Sequence, residues 1–241
     1  MMHTSKETYA LVTGGARGIG KSIAQILLQQ GIYVFITATS ERDGWWSEVE
    51  NCELLVCDFT SEADVEHLVN SLHETPISYL VNNAGIVDNR LLDDCDHESW
   101  QKLFAVNVFV PQLLISRLAP RMRANGFGRI VNISSIAATV TRPGVGAYAS
   151  SKAAVGSLTR TAALEYATDG ILVNSVCPAY TDTDMLKSLD PETRNTLLAK
   201  VPLQKFCQPS DIAELTWFLL SEKNQFLTGQ NLIIDGGVTI Q

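Results

Sequence analysis

Thr13-Gly14-Gly15-Ala16-Arg17-Gly18-Ile19-Gly20 decides how this chain is read. It follows a short apolar run at residues 9–13. It opens a segment in which Ile19, Ile23, Ile26 and Leu27 recur at three- and four-residue spacing before Gly31. A strand, a glycine turn and an amphipathic helix in that order form the first half of a βαβ unit. Glycines at 14, 18 and 20 permit the tight turn, let main-chain N–H groups approach a pyrophosphate, and let the helix press on the strand. The spacing is G-x-x-x-G-x-G, not the commoner G-x-G-x-x-G, so the flanking strand and helix carry the reading of a dinucleotide loop.

Working outward, short β-rich runs alternate with helical patterns to the end of the chain, the mark of a parallel sheet with crossover helices. Strands are predicted at residues 9–13, 33–37, 53–57, 79–82, 128–134, 172–177 and 231–234. Further helices are predicted at 61–72, 97–123, 147–168 and 209–221, the last with Pro209-Ser210-Asp211 and Glu214 as a capped start. Residues 41–51 leave room for about three helical turns. Trp45 and Trp46 in that segment are read as packing residues, with the lining of an adenine cleft as the alternative. Residues 182–202 carry two prolines and no strong period, and are read as a mobile helical flap over the site.

Composition bounds the function. The 241 residues are 46% hydrophobic, with near-continuous apolar runs and no Pro/Gly/Ser-rich break, which suits one α/β domain over 1–241 with a core on both sheet faces. Lys plus Arg number 18 against 26 Asp plus Glu, so the net charge of −8 offers no basic block for a phosphate backbone and argues against nucleic acid. Residues 1–8 are polar and no apolar stretch is seen to approach the roughly 20 residues of a membrane span, so a soluble, cytoplasmic protein is expected. Cys52, Cys57, Cys95, Cys177 and Cys207 are scattered and odd in number, and His3, His67, His73 and His97 lie in polar surroundings. Free thiols are expected, and no metal site.

The end of the second strand selects the cofactor. A carboxylate there would bond a ribose 2′-hydroxyl and repel a 2′-phosphate. The chain reads Thr37-Ala38-Thr39-Ser40, and Arg17 projects from the glycine loop toward the same corner, so Arg17 and Thr39 point to NADP(H). Glu41 opposes that reading, with Arg42 beside it to neutralise it. Asp58 is placed to accept from the adenine amino group, with Phe59 alongside, or else to cap the helix that starts near Ser61. Asn82-Asn83-Ala84-Gly85 ends the fourth strand, where small residues let the backbone approach a ribose, or form a plain strand-end turn.

Tyr148-Ala149-Ser150-Ser151-Lys152 sets a phenol and an ammonium on one helix face. A phenol of pKa about 10 shuttles protons poorly near neutrality, and a neighbouring cation is expected to bring it into range. Ser135, at the end of the fifth strand, is placed to bond a substrate oxygen. Ser134 competes, but strand alternation points it elsewhere.

Together with the glycine loop and Asn82-Asn83-Ala84-Gly85, this constellation resembles the short-chain dehydrogenase/reductase family across nearly the whole chain. The resemblance implies a doubly wound (Rossmann) seven-stranded parallel sheet with helices on both faces, a homotetramer or dimer, and hydride transfer. It implies that Tyr148 is the general acid, that Lys152 tunes it and bonds the nicotinamide ribose, and that Ser135 polarises the carbonyl. Both Tyr148 and Lys152 then count among the cofactor-binding residues, with Gly14, Arg17, Gly18, Ile19, Gly20, Thr39, Asp58, Phe59, Asn83, Ala84 and Gly85. Asn107, inside the long helix, would hold a relay water between Lys152 and solvent. Pro178-Ala179-Tyr180-Thr181-Asp182-Thr183 resembles the segment that brackets the nicotinamide carboxamide, with Pro178 and Thr183 at cofactor positions and Ala179 in place of a glycine that would tolerate positive φ.

Within the family the chain looks most like the 3-oxoacyl-carrier-protein reductases, which implies reduction of a 3-oxoacyl thioester presented on an acyl-carrier protein. A free ketone, a secondary alcohol or a sugar or polyol remains an alternative substrate class, and a catalytically silent cofactor-binding regulator a third reading, disfavoured because Asn107, Ser135, Tyr148 and Lys152 are all present. An acidic carrier would need local basic groups, for which Arg121, Arg123 and Arg129 are the candidates. Pocket walls are expected from 87–92, 137–146 and 182–202, with Ile136, Val140, Val145, Met185 and Leu186 as an apolar lining or as packing beneath a loop.

Overall fold

Seven β-rich runs become seven strands in a computed structural model, which describes residues 8–41 and 43–240, and of Met185 the main chain only. They are β1 (Tyr9–Val12), β2 (Tyr33–Ala38), β3 (Cys52–Val56), β4 (Ile77–Asn82), β5 (Gly128–Ile133), β6 (Ile171–Pro178) and β7 (Asn231–Ile234). All pair in parallel in the order β3-β2-β1-β4-β5-β6-β7. The chain steps outward from β1 to β3, then returns to lay β4 beside β1. That reversal opens a crevice at the carboxyl ends of β1 and β4, the switch point where doubly wound sheets take ligands.

Two apolar layers sandwich the sheet. On one face α1 (Gly18–Gln29) and α8 (Pro209–Leu220) bury Ile23, Leu27, Ile212 and Leu219 against Val12, Ile36, Val81 and Val131. On the other, α2 (Glu62–Ser71), α4 (Val110–Ala124) and α5 (Gly146–Tyr166) enclose Leu11, Leu68, Leu80, Leu114, Leu118 and Ile130. Burial on both faces explains why the central strands read as continuous apolar runs with no alternation. The remaining helices are α3 (His97–Phe104), α6 (Asp184–Lys187) and α7 (Pro191–Ala199).

Several elements differ from expectation. Where a helix is expected over 41–51, residues 43–51 form turns. Gly44 gives its N–H to Ser47 Oγ at 3.0 Å, the Trp46 ring folds over Gly44, and Trp45 reaches back to bond the Ala16 carbonyl at 3.1 Å. The long helix at 97–123 is three pieces: α3, a π-helical stretch Ala105–Phe109, and α4. The cause lies in the sequence, since Pro111 has no N–H to return to the Asn107 carbonyl and its ring crowds that oxygen, so the helix widens there. The three pieces run on end to end over His97–Ala124, 28 residues with a window long and apolar enough, by length and composition only, to cross a membrane, where no such stretch was expected. Half of its most apolar window is buried inside the fold, as befits a core helix. At α8, Gln208 is the N-cap and Asp211, in place of Glu214, closes the box by accepting Gln208 N–H at 2.9 Å.

Candidate active site

The glycine loop is stitched to both strands that flank the crevice. Gly14 N–H bonds Thr37 Oγ1 at 3.0 Å and Gly15 N–H bonds the Thr37 carbonyl at 3.1 Å, tying the loop to the end of β2. Toward β4, Thr13 Oγ1 accepts the N–H groups of Asn83 (2.9 Å) and Ala84 (3.0 Å), while Asn83 Nδ2 donates to the carbonyls of Thr13 (2.9 Å) and Gly14 (3.1 Å). Gly20 is packed so closely that a Cβ would lie 2.3 Å from the Gly14 carbonyl oxygen, so only glycine lets α1 start against the turn. Gly18, at φ +55°, would place a Cβ 3.3 Å from Thr183 Cγ2, which brings the 182–202 segment to the rim of the same loop. Ile19 is half-buried against the apolar layer beneath α1.

The N-terminus of α1 has no side-chain cap and no acidic residue in its first turn. Its first N–H groups and the positive end of the helix dipole are therefore left for an anion in the crevice. Arg17 is the N-cap residue and is exposed, as are Thr39 and Glu41 beyond β2. Arg42, expected to neutralise Glu41, lies outside the described residues.

On the adenine side, Asp58 Oδ1 accepts Thr60 N–H and Oγ–H at 2.9 and 2.8 Å, which holds its carboxyl below the ordinary carboxylate range. The helix cap is Ser61, whose Oγ accepts Asp64 N–H at 3.3 Å, so the capping alternative for Asp58 belongs to its neighbour. Phe59 is 8% exposed and its ring lies in the core, which leaves its main chain, not its ring, for any cofactor contact.

α5 carries Tyr148 and Lys152 and is pinned to β5 by polar bonds through the core. Lys152 Nζ donates to the Ile133 carbonyl at 2.9 Å, and Ser134 Oγ donates to the Lys152 carbonyl at 3.0 Å. Asn82 Nδ2 bonds Asn132 Oδ1, and Asn132 Nδ2 bonds Thr159 Oγ1, each at 2.8 Å. Ser134 is thus spent on the scaffold, whereas Ser135 hydrogen-bonds Tyr148 and accepts Ala137 N–H at 3.1 Å. Lys152 Nζ stands 5.7 Å from the Tyr148 ring centroid.

The electrostatic balance differs from expectation. Tyr148 keeps part of its surface open, yet burial pushes its phenol above the ordinary value, with the Ser135 hydrogen bond pulling the other way. Desolvation, not the neighbouring cation, sets its direction. Lys152 is 5% exposed, and burial brings its ammonium from 10.5 down to about 8.

Asn107 lies in the π-helical stretch, 1% exposed. Its Oδ1 accepts Ile86 N–H at 2.9 Å, and its Nδ2 donates to the Ile86 carbonyl at 2.9 Å and to Ser151 Oγ at 3.1 Å. The amide is therefore committed to protein partners, so a relay water would fall to its main-chain carbonyl. Gly85 lies between, since a Cβ there would stand 3.2 Å from Asn107 Oδ1 and 3.5 Å from Lys152 Nζ.

Ala179 does not adopt positive φ, so replacing glycine costs it no strain; its N–H bonds the Ile234 carbonyl at 3.1 Å and extends the β6 ladder past Pro178. Segment 182–202 holds α6 and α7, tied at its base by Arg194 to Asp182 Oδ1 at 3.0 Å. Of the proposed lining, Ile136, Val145 and Leu186 are buried as packing residues, Val140 is exposed, and the Met185 side chain lies outside the described residues. Leu91 and Leu92 are exposed on the opposite loop.

The three arginines suggested for a carrier are engaged within the fold. Arg129 is buried and bonds the Gly128 and Gly170 carbonyls, Arg123 pairs with Asp169 at 2.7 Å, and Arg121 lies 3.8 Å from Glu74. All sit where β5 begins, at the sheet edge opposite the crevice.

Sequence reasoning gave no role to Thr13, Ser151 or Cys177. Thr13 is the pivot between the two turns, and Ser151 Oγ links Asn107 to the Tyr148 carbonyl, to which it donates at 2.8 Å. Cys177 is a buried thiol, raised by burial, within electrostatic reach of Lys152 and Tyr148. Ser151 sits inside the Tyr-x-x-x-Lys run, and its partner Asn107 comes from the π-helical stretch, 44 residues away in sequence.

Fold and site together define an oxidoreductase domain of the dinucleotide-binding kind. A family model described as enoyl-(acyl carrier protein) reductase matches residues 14–239. A 3-oxoacyl-[acyl-carrier-protein] reductase of Vibrio cholerae is 34% identical over 234 residues, covering 95% of this chain and 96% of that protein. The corresponding reductase of Staphylococcus aureus is 34% identical over 238 residues, covering 95% and 97%. Among solved structures, a candidate NAD(P)-dependent gluconate 5-dehydrogenase from Beutenbergia cavernae with NADP bound superposes with a TM-score of 0.91 at 31% identity, covering 97% of each chain. An aldohexose dehydrogenase of Thermoplasma acidophilum superposes at 0.88 and 29%, covering 98% and 95%. The chain belongs to the short-chain dehydrogenase/reductase family.

Proposed function

We propose that the protein is an NADPH-dependent carbonyl reductase that converts a 3-oxoacyl thioester to the 3-hydroxyacyl thioester. The observation that carries the reading is the convergence of Ser135, Tyr148 and Lys152 at the carboxyl edge of the sheet, beside an uncapped helix N-terminus suited to a pyrophosphate. The relatives' printed activities supply the substrate class.

The residues present fit a dinucleotide. Gly14, Gly18, Ile19 and Gly20 would hold the pyrophosphate, Arg17 and Thr39 the 2′-phosphate, Asp58 with the Phe59 main chain the adenine, and Asn83, Ala84 and Gly85 the adjoining ribose. Tyr148 and Lys152 would hold the nicotinamide ribose, and Pro178 and Thr183 the carboxamide. The cofactor, when bound, supplies hydride to the carbonyl carbon.

Ser135 and Tyr148 then meet one carbonyl oxygen, with Ser135 donating a hydrogen bond and Tyr148 delivering the proton that completes the two-electron reduction to the alcohol. A phenol held above its ordinary pKa stays protonated near neutrality, the state a donor must be in. Lys152, with a pKa of about 8, can give and take a proton in that range and resupplies Tyr148. The Asn107 main-chain carbonyl, from which Pro111 withholds an N–H, holds the water that connects Lys152 to solvent. The 182–202 segment acts as a flap over the bound substrate. The same reading places the enzyme in the cytoplasm as a homotetramer.

Two hydrogen bonds aimed at one oxygen suit a ketone better than the carbon–carbon double bond of an enoyl thioester. NADPH oxidation with acetoacetyl-carrier protein, acetoacetyl-CoA, an enoyl thioester, and panels of free ketones and sugars tests this. Turnover with the 3-oxoacyl thioesters above the others is expected. Turnover confined to free ketones or sugars refutes the substrate class.

A further inference from the structure

The loop between β2 and β3 does something its sequence does not announce. Trp45 Nε1 donates to the carbonyl of Ala16 across 29 residues, at 3.1 Å. That carbonyl and the N–H of Arg17 belong to one planar peptide unit, so fixing one fixes the other. The indole is itself fixed. The Trp46 ring meets it edge-on at 6.1 Å, Lys21 Nζ, one helical turn after Arg17, lies 5.9 Å from its centroid, and Trp46 is locked over Gly44, where a Cβ would come within 2.3 Å of the ring. Arg17, by contrast, is exposed, in extended backbone at φ −152°, with no side-chain cap bond of its own.

We infer that Trp45 is a positioning residue that sets the preference for a 2′-phosphorylated cofactor, by holding the Ala16–Arg17 peptide so that the guanidinium meets the phosphate beside Thr39. This rests on the NADPH reading above. Simple packing is the competing account, since both indoles also border the apolar layer under α1. The two accounts separate by cofactor. NADH carries no 2′-phosphate, so the aim of Arg17 is irrelevant to it, whereas damaged packing would weaken both cofactors alike.

The test compares Kd for NADPH and NADH, titrated by calorimetry without substrate, together with KM and kcat, in the intact enzyme, its Trp45→Phe and Arg17→Ala variants, and the double variant. Loss of one hydrogen bond is worth about three- to tenfold in binding. Trp45→Phe is expected to raise Kd and KM for NADPH by that factor, to leave NADH binding and kinetics within about twofold, and to add nothing further in the Arg17→Ala background. Equal losses with both cofactors, or additive losses in the double variant, overturn the inference. A parent enzyme indifferent to the 2′-phosphate overturns the cofactor reading itself, and the inference with it, before any variant is compared. Should Trp45→Phe not fold, Trp45→His, which keeps a ring N–H, carries the same comparison: constants for NADPH and NADH both within about twofold of the parent's support the inference, and a larger, equal loss with both cofactors overturns it.

Discussion

Lys152→Met is expected to make the cofactor-free protein more stable while stopping turnover. The buried ammonium falls from 10.5 to about 8. At about 1.4 kcal/mol for each pH unit, that fall is a penalty of about 3 kcal/mol on the charged form. Methionine fills much the same volume without the charge. It also strands the Ile133 carbonyl, which accepts the Nζ–H at 2.9 Å, at about 1–2 kcal/mol. The net gain is about 1–2 kcal/mol, or a rise in Tm of roughly 2–8 °C for a chain of this length. The sign follows from proton binding. Below pH about 8 the lysine is charged in both folded and unfolded states and the variant's advantage is complete. From about 8 to 10.5 the unfolded chain binds more protons than the folded one, so the parent gains stability with pH and the advantage shrinks. Urea unfolding followed by circular dichroism at about pH 7, 9 and 10.5 measures it. A variant less stable than the parent at neutral pH, by a gap that does not move with pH, refutes the reasoning.

Other outcomes follow from the same geometry. Gly20→Ala puts a methyl 2.3 Å from the Gly14 carbonyl oxygen and is expected to abolish NADPH binding in calorimetry; binding at the parent's affinity contradicts the cradle. In the reducing direction kcat should fall as pH rises through about 8, where Lys152 loses its proton, so a profile flat to high pH counts against its role in proton supply. Asn107→Ala strands the Ile86 N–H and carbonyl, at a cost of about 2–4 kcal/mol visible as a lower unfolding midpoint.

The five inner strands were legible because they are buried on both faces and so read as apolar runs closed by a glycine or polar break, while the edge strands β3 and β7 are partly exposed and read only as short β-rich runs. Ends shifted by one or two residues, as at β4, which begins at Ile77. The order of the strands was not legible from the residues alone, since no local pattern records that β4 returns beside β1; the family resemblance implied it. Residues 41–51 misled because their length suits a helix, while Gly44 and the inward turn of two indoles decide for a compact turn. The interruption at Ala105–Phe109 had a signal in Pro111 that an apolar period obscured. At the site, residue identities were readable and balances were not. Whether burial or a nearby cation governs Tyr148 depends on how deeply α5 sits against β5, which only tertiary packing settles. Arg121, Arg123 and Arg129 looked available as charges in sequence, but β5 runs away from them toward the crevice.

Turnover by Tyr148→Phe against retained NADPH binding tests the central claim most directly. The substitution removes one oxygen and leaves the ring, so the account predicts a loss of roughly 10²–10⁴-fold in acetoacetyl thioester reduction, with NADPH Kd within a few-fold of the parent's. Reduction at the parent's rate by a variant that lacks the phenolic hydroxyl would contradict it.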